Sequence, residues 1–375
     1  MPTLPIIKII NPRSRDKNKS GQTKKPFQAV AEESLKELQE AVNKNKKTVI
    51  FINRRGLAGS IICQECGFVP KCPHCDIPLC FHLPSTLICH HCAYQIPVPR
   101  ICPNCGGYRL KPLGIGMERI GQEIKKFINP LPSFALIEGE MPDDKELDIF
   151  DKFKMGEIKI LIGTEALLRP QLEQADLVVA ASIDPLLFLP DYNSEERVFF
   201  YLLRLRKIAK EKLIIQTLIP ENKLFKYLIE RREEKFFEEE LKWREDYLWP
   251  PFAQLIKLTF FHPNKDKGDK EITAIRNKLD KAILKLAPQN LKKNFSILGP
   301  APAFIFKEKG VYKWNILIKY KYFESKIQRN RNPLLGLNFF APLLTKNELN
   351  LRNKILRAVS FSNRWRIDID PKDTL

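Results

Sequence analysis

Two rhythms of apolar and polar positions run along this 375-residue chain. Short, nearly unbroken apolar runs form the first: "KTVIFIN" (47–53), "SFALIEGE" (133–140), "IKILIGT" (158–164), "ADLVVAASID" (175–184) and "KLIIQTLI" (212–219). A strand with one wet face would alternate, so these runs predict strands covered on both faces. The second rhythm has helical spacing and lies between them, over 27–45, 114–128, 144–156 and 194–210. Strands alternating with amphipathic helices predict βαβ units and a parallel sheet with helices on both faces. Ahead of the first helix stand a short extended run, "LPIIKII" (4–10), and a polar loop (11–25).

The pattern changes after residue 219. The charged stretch 220–247 predicts one long helix leaving the α/β region, and "WPPFAQLIKLTFF" (249–261) opens a different organisation. A helix over 269–287 and strands over 311–320 and 364–370 predict a separate α+β domain from about residue 250 to the end. The longest apolar run is far shorter than the ~18 residues a membrane span needs. The start, "MPTLPIIKII", has no charged segment leading into a long apolar one. These features predict a cytoplasmic protein with reduced thiols. Lys and Arg number 63 against 44 Asp and Glu, a formal charge of +19. That excess suits a polyanion, because each phosphate neutralised releases condensed counterions.

Cysteine spacing adds chemistry to this scaffold. Four C-x-x-C pairs, Cys63/Cys66, Cys72/Cys75, Cys89/Cys92 and Cys102/Cys105, interrupt the α/β pattern. Two cysteines separated by two residues form a turn whose thiolates converge on one tetrahedral ion, and two turns fill its four positions. Eight ligands therefore imply two structural zinc ions, in preference to disulfides, a redox pair or an iron–sulfur cluster. The separations favour nesting: Cys72, Cys75, Cys89 and Cys92 hold one ion, and Cys63, Cys66, Cys102 and Cys105 the other. Sequential pairing is the second arrangement, with a tight closure between Cys66 and Cys72. His74, His82, His90 and His91 lie among the cysteines but are not needed as ligands, and Cys80 reads as a small buried residue.

Several short stretches then take on meaning together. They are "FINRRG" (51–56) and "GIGMERI" (114–120) around the cysteines, then "GTEALL" (163–168), "LPDYNSEERVF" (189–199), "IIQT" (214–217), "WPPF" (249–252), "ILGPAPAFI" (297–305) and "WRIDIDP" (365–371). In this order the set resembles the primosomal protein N′ (PriA) family of bacterial replication-restart helicases. The resemblance implies a RecA-like second helicase lobe carrying a double zinc-ribbon-like insertion, plus an α+β C-terminal domain. Its implied boundaries are 1–62 and 110–219 for the lobe, 63–109 for the zinc insertion, 220–249 for a linker helix and 250–375 for the C-terminal domain. It also implies the nested zinc assignment. The implied partners are forked or single-stranded DNA, primosome proteins and a single-strand DNA-binding protein, with no membrane.

The departures from the family are informative. No G-x-x-x-x-G-K-[ST] phosphate loop occurs in the sequence. Relative to the family, the first helicase lobe, with its phosphate loop and acidic magnesium motif, is expected to be missing. Gly163, Thr164 and Glu165 are kept, but the Lys-Gly that follows in the family is not. Where the family has Gln-x-x-Gly-Arg-x-Gly-Arg, the chain reads "RLRKIAKE", Arg204 to Glu211. Lys207 and Lys210 replace the glycines, and Ile208 and Glu211 replace the arginines. A charge-stabilising arginine must face the γ-phosphate from a defined position. Arg204 and Arg206 are instead expected on the solvated face of the helix, and no ATP binding is expected.

The leading expectation is thus a replication-restart protein that binds DNA at stalled or forked structures and helps assemble the primosome without helicase activity of its own. The alternative is an ATP-dependent 3'-5' DNA helicase whose first lobe is supplied by another polypeptide. A zinc-ribbon RNA-binding or transcription-type factor is a third reading, disfavoured by the resemblance outside the cysteines. For DNA contacts, Tyr312 and Trp314 stand among basic residues and are candidates to stack on unpaired bases. Alternation on a strand sends both to one face and favours a core position for Trp314 over stacking.

Overall fold

The computed structural model describes residues 4–12, 30–52, 60–74, 77–82, 85–89, 92–112, 117–137, 141–169, 172–286, 295–321, 346–357, 362–371 and 374. The polar stretch 13–25 and most of the "FINRRG" run lie outside them. From the N-terminus the elements are β1 (Ile6–Ile10), α1 (Glu32–Asn43), β2 (Thr48–Ile52) and β3 (Ile61–Cys63). Three short strands follow, β4 (Cys80–His82), β5 (Thr86–Ile88) and β6 (Gln95–Pro97), and then β7 (Leu110–Pro112). The α/β pattern resumes with α2 (Met117–Phe127), β8 (Phe134–Ile137), α3 (Asp143–Met155), β9 (Ile160–Gly163), a 3₁₀ turn (Glu165–Leu168) and β10 (Ala175–Ser182). After it come α4 (Asp184–Leu187), α5 (Ser194–Ile208), β11 (Ala209–Gln216), α6 (Lys223–Glu230) and α7 (Glu233–Asp246). The remainder is β12 (Ala253–His262), α8 (Lys265–Leu286), β13 (Phe295–Glu308), β14 (Val311–Lys321), α9 (Lys346–Arg357) and β15 (Trp365–Ile369).

The chain divides into two compact units: 1–69, 99–189 and 194–233 form one, and 70–98, 190–193 and 234–375 the other. In the first unit the apolar runs build a six-stranded sheet ordered β1-β11-β10-β2-β9-β8. All its pairs are parallel, as their two-sided hydrophobicity demands. Ile50, Ile52, Ile160, Ile162, Val179 and Ile214 pack with Leu35 and Leu38 of α1 and Ile120 and Ile124 of α2. The residues of opposite parity, among them Val49, Phe51, Leu161 and Val178, are equally buried. On that side Tyr201 of α5 meets Phe51 edge-on, with ring centroids 5.9 Å apart. Burying each such side chain contributes about 1.5–3 kcal/mol, so both faces stabilise the sheet. An antiparallel pair, β3 with β7, sets Cys63 opposite Leu110.

The predicted single helix over 220–247 is two. Asn222 caps α6 by accepting from the Leu224 amide at 2.9 Å, and Arg231 ends it in the left-handed region at φ 57. The Arg232 amide turns back to the Tyr227 carbonyl at 2.9 Å, which stops the helix before α7 begins. Charge and helix propensity continue through this break, so the pattern alone hides it.

The second unit carries a four-stranded antiparallel sheet ordered β13-β14-β12-β15. Ile272, Ile275, Leu279 and Ile283 form the apolar stripe of α8 and cover Leu258, Phe260, Ile316 and Ile318. On the other parity of β12 and β14, Leu255 and Leu317 pack with the fully buried Trp249. Tyr192 stacks on Trp249 at 5.0 Å with an interplanar angle of 9°. Lys319 sets its ammonium 3.2 Å from the Trp249 ring centroid and donates to the Tyr247 carbonyl at 2.9 Å. A second small sheet in this unit, β4-β5-β6, carries part of the cysteine cassette. Among the described residues, no helix is long and apolar enough to cross a membrane.

Candidate metal centre

The first cysteine of each pair makes the same backbone hydrogen bond. The amide of the first cysteine donates to the carbonyl five residues on: Cys63 to Phe68 at 2.8 Å, Cys72 to Ile77 at 2.8 Å, Cys89 to Tyr94 at 2.8 Å and Cys102 to Gly107 at 2.7 Å. In three of them a return bond closes the turn, from Gly67 to Cys63 at 3.0 Å, Ala93 to Cys89 at 2.9 Å and Gly106 to Cys102 at 2.9 Å. The residue after the second cysteine must turn left-handed to make that bond, with φ 79 at Gly67, 64 at Ala93 and 72 at Gly106. The first cysteine of every pair is buried, whereas Cys66 and Cys105 are exposed and Cys92 is half-buried. Each of the three turns whose second cysteine is described thus presents one buried and one more exposed thiol. The C-x-x-C-Gly pattern at Cys66–Gly67 and Cys105–Gly106 was available in the sequence as a marker of these turns.

The turns converge in two groups. Cys63, Cys66, Cys102 and Cys105 bring their sulfurs within 4.8 Å of one another. Within this group Cys63 and Cys105 are 3.7 Å apart, and Cys66 and Cys102 are 3.6 Å apart. A disulfide would need ~2.05 Å. The edge of a tetrahedron with ~2.3 Å metal–sulfur bonds is ~3.8 Å, so this set fits a single tetrathiolate ion. Backbone and side-chain donors support the thiolates: the Glu65 amide reaches Cys63 Sγ at 3.4 Å, and Asn104 Nδ2 reaches Cys66 Sγ at 3.4 Å. Sequence reasoning passed over Asn104, which no spacing rule marks.

Burial and hydrogen bonding set the thiols of this group apart. Burial opposes ionisation of Cys66, but hydrogen bonds from Asn104, the Phe68 backbone and neighbouring thiols outweigh it and bring the thiol down to about 7. At Cys105 the Gly107 backbone favours the thiolate, yet Cys66 and the other sulfurs drive the pKa up to about 12. Burial raises Cys102 as well.

Cys72, Cys89 and Cys92 form the second group, also within 4.8 Å, with Cys72 and Cys92 3.5 Å apart. Cys75, the expected fourth ligand, lies outside the described residues, as do His90 and His91 and the side chain of His82. His74 is exposed and meets Tyr94 edge-on, its ring centroid 5.4 Å away. Cys80 is buried, and that burial holds its thiol well above the ordinary range. Both groups could hold metal ions through sulfur alone.

The core position that strand alternation favours for Trp314 is the one observed, and the expectation for Arg206 needs correction. Trp314 is only 2% exposed, its indole N–H donates to Asp269 at 2.8 Å, and its ring meets Phe306 edge-on at 87°. It belongs to the core and offers no face to a base. Tyr312 is half-buried against Phe306, with the Lys307 ammonium 4.8 Å from its ring centroid. Arg206 does not decorate a solvated face: it is 14% exposed, pairs with Glu233 and donates to the Leu228 carbonyl at 3.2 Å. Arg204 stays exposed but donates to the Leu168 carbonyl at 2.9 Å. Of the other replaced positions, Ile208 is buried and Glu211 pairs with Lys46. Gly163 ends β9 where a Cβ would stand 2.7 Å from the Ile137 carbonyl, so its glycine is needed for packing.

Comparison with known proteins decides the family. Residues 245–334 match the model of the primosomal protein N C-terminal domain. The chain is 30% identical over 318 residues to the replication restart protein PriA of Thermotoga maritima, covering 82% of this chain and 41% of that protein. The chain is PriA-like. It is also 30% identical to PriA of Borreliella burgdorferi, covering 83% of this chain and 45% of that one. With PriA of Bacillus subtilis the shares are 77% and 36%, again at 30% identity. The PriA-like chain thus spans about two fifths of the length of these relatives. A solved structure of the DUF1998 helicase MrfA, bound to DNA and AMPPNP, aligns with 61% of the chain and 22% of its own at TM-score 0.30 and 14% identity.

Proposed function

We propose that this PriA-like chain is a replication-restart protein that binds forked or single-stranded DNA and helps assemble the primosome. Zinc fills both cysteine groups in this reading, with Cys63, Cys66, Cys102 and Cys105 on one ion and Cys72, Cys75, Cys89 and Cys92 on the other. The similarity to replication restart proteins over about four fifths of the chain carries the proposal. Sulfur saturates the coordination of each ion, so the metals are structural and leave no open position for a reacting water. The +19 charge supplies the attraction to phosphates. Cytoplasmic location and contact with a single-strand DNA-binding protein belong to the same reading.

The chain alone does not unwind DNA in this account. Phosphoryl transfer needs a phosphate cradle with its lysine, a magnesium-holding carboxylate and a cation placed on the developing charge. No phosphate loop occurs in the sequence, Arg206 is committed to Glu233, and Arg204 to a backbone carbonyl. The test pairs two measurements on the zinc-loaded chain. Affinity for a fluorescent fork should fall steeply with salt, by ~0.7–0.9 log units per log of salt for each phosphate contacted. Magnesium–ATP with fork DNA should release no phosphate above the protein-free control. Binding that ignores salt would overturn the electrostatic basis, and DNA-stimulated hydrolysis by the pure chain would show that it carries phosphoryl-transfer machinery of its own.

A further inference from the structure

Tyr108 is 76% exposed, the most exposed large apolar side chain among the described residues, and Ile101 is 46% exposed. Single exposed apolar residues are ordinary on protein surfaces. These two are not separate. The Cys102 amide donates to the Gly107 carbonyl at 2.7 Å, which closes the turn. Ile101 and Tyr108 are thus the residues that flank this hydrogen bond on its two sides. Arg100, Arg109 and Lys111 are all exposed. Among the described residues the one carboxylate bonded to any of them is Glu65, which accepts from Arg109 Nε at 3.0 Å.

Nothing in the turn requires an aromatic at 108. The hydrogen bonds that shape it are backbone bonds, and its core consists of the buried Cys63 and Cys102. Gly107 is buried because the Glu65 carboxylate lies across it, so close that a Cβ there would stand 1.8 Å from Glu65 Oε2. That contact fixes the Glu65–Arg109 pair at the base of the turn and leaves the Tyr108 ring uncovered.

We infer that Tyr108 and Ile101, framed by Arg100 and Arg109, form a stacking platform for an unpaired base of single-stranded DNA. The inference rests on the DNA-binding reading above and assigns it a contact point. An aromatic face stacks on any base, and adjacent guanidinium groups meet the phosphates on either side. Duplex DNA hides its base faces, and an apolar protein partner would have no use for the flanking cations.

The experiment uses the full zinc-loaded chain, with anisotropy on a labelled oligo-dT and on a blunt duplex across a salt series. Tyr108→Ala should weaken oligo-dT binding about 5- to 150-fold, the equivalent of losing one stacked base. It should leave duplex affinity within about twofold and the salt slope unchanged. Tyr108→Phe keeps the ring and should stay within about threefold of the parent, while Arg100→Ala should reduce the salt slope. Zinc content of each variant checks that the turn is intact. If the parent binds oligo-dT and Tyr108→Ala binds equally well, the platform is refuted while DNA binding stands. Equal losses on oligo-dT and duplex would refute stacking. A parent chain that binds neither DNA overturns the platform and the DNA-binding reading together.

Discussion

The two cysteine groups are built from one turn, yet they are held differently. Cys66 and Cys102 of the outer group are 36 positions apart in sequence, while Cys72 and Cys92 of the inner group are 20 apart. Loop-closure entropy distinguishes these spans by only ~0.5 kcal/mol. Their anchoring differs far more. The outer group is tied by the β3–β7 pair, and Gly67 lies where a Cβ would stand 2.9 Å from the Leu218 carbonyl. Both outer turns whose ends are described finish on glycine, whereas the inner turn at Cys89–Cys92 holds an alanine at φ 64. The cost of organising each site is set by the backbone at the turn end, more than by the length of chain enclosed.

Metal removal should produce the largest effect. Structural zinc supplies ~10–16 kcal/mol of apparent binding energy per site at neutral pH, far above what two- and three-stranded sheets of three-residue strands provide. Stripping both ions should raise amide exchange across 61–74 and 92–111 while 160–163 and 175–182 remain protected by their buried parallel pairs. Uniform loss of protection would show that the groups carry the parallel sheet as well. The next effect is Gly67→Ala. It combines a positive φ with a backbone contact that cannot yield, and should destabilise the outer site by ~1–3 kcal/mol. Gly107→Ala meets only the flexible end of Glu65 and should cost less than ~1 kcal/mol. Zinc competition against a chromophoric chelator ranks the two variants, and a reversed order would break the comparison.

The smallest effect belongs to the inner site. Ala93→Gly relieves a left-handed conformation worth ~1–2 kcal/mol, offset by the greater freedom of glycine in the unfolded chain. A net gain of ~0.5–1 kcal/mol in metal retention at that site is expected. The same substitution logic gives no gain at the outer site, where glycine already stands at both turn ends.

How much of this was readable beforehand depended on whether residue chemistry or tertiary context decided the outcome. Apolar runs such as "ADLVVAASID" specified covered parallel strands, because no other arrangement buries both of their faces. C-x-x-C spacing specified converging thiols, because the turn is local. The break at Arg231 was hidden by continuous helix-forming composition. β13 was hidden by Gly299, Pro300 and Pro302, residues that weaken strands but are tolerated on a sheet edge, where β13 lies. Basic neighbours offered Trp314 as a nucleic-acid contact, but strand alternation favoured the core, and the ring does turn inward onto Phe260 and Phe306. Arg206 looked solvated because its partner, Glu233, is 27 positions away. Tyr108 carries no sequence signature beyond its neighbours, and its exposure became visible only with the turn closed.

The central claim is that the cysteines nest as two closed sites, and metal counting on Cys→Ser variants tests it most directly. Native mass spectrometry of the parent chain should show two zinc ions. Cys63→Ser, Cys102→Ser and the double variant should each retain one, because both residues serve the same ion. Sequential pairing would make the double variant lose both ions, and that result, or a single ion in the parent, would contradict the account.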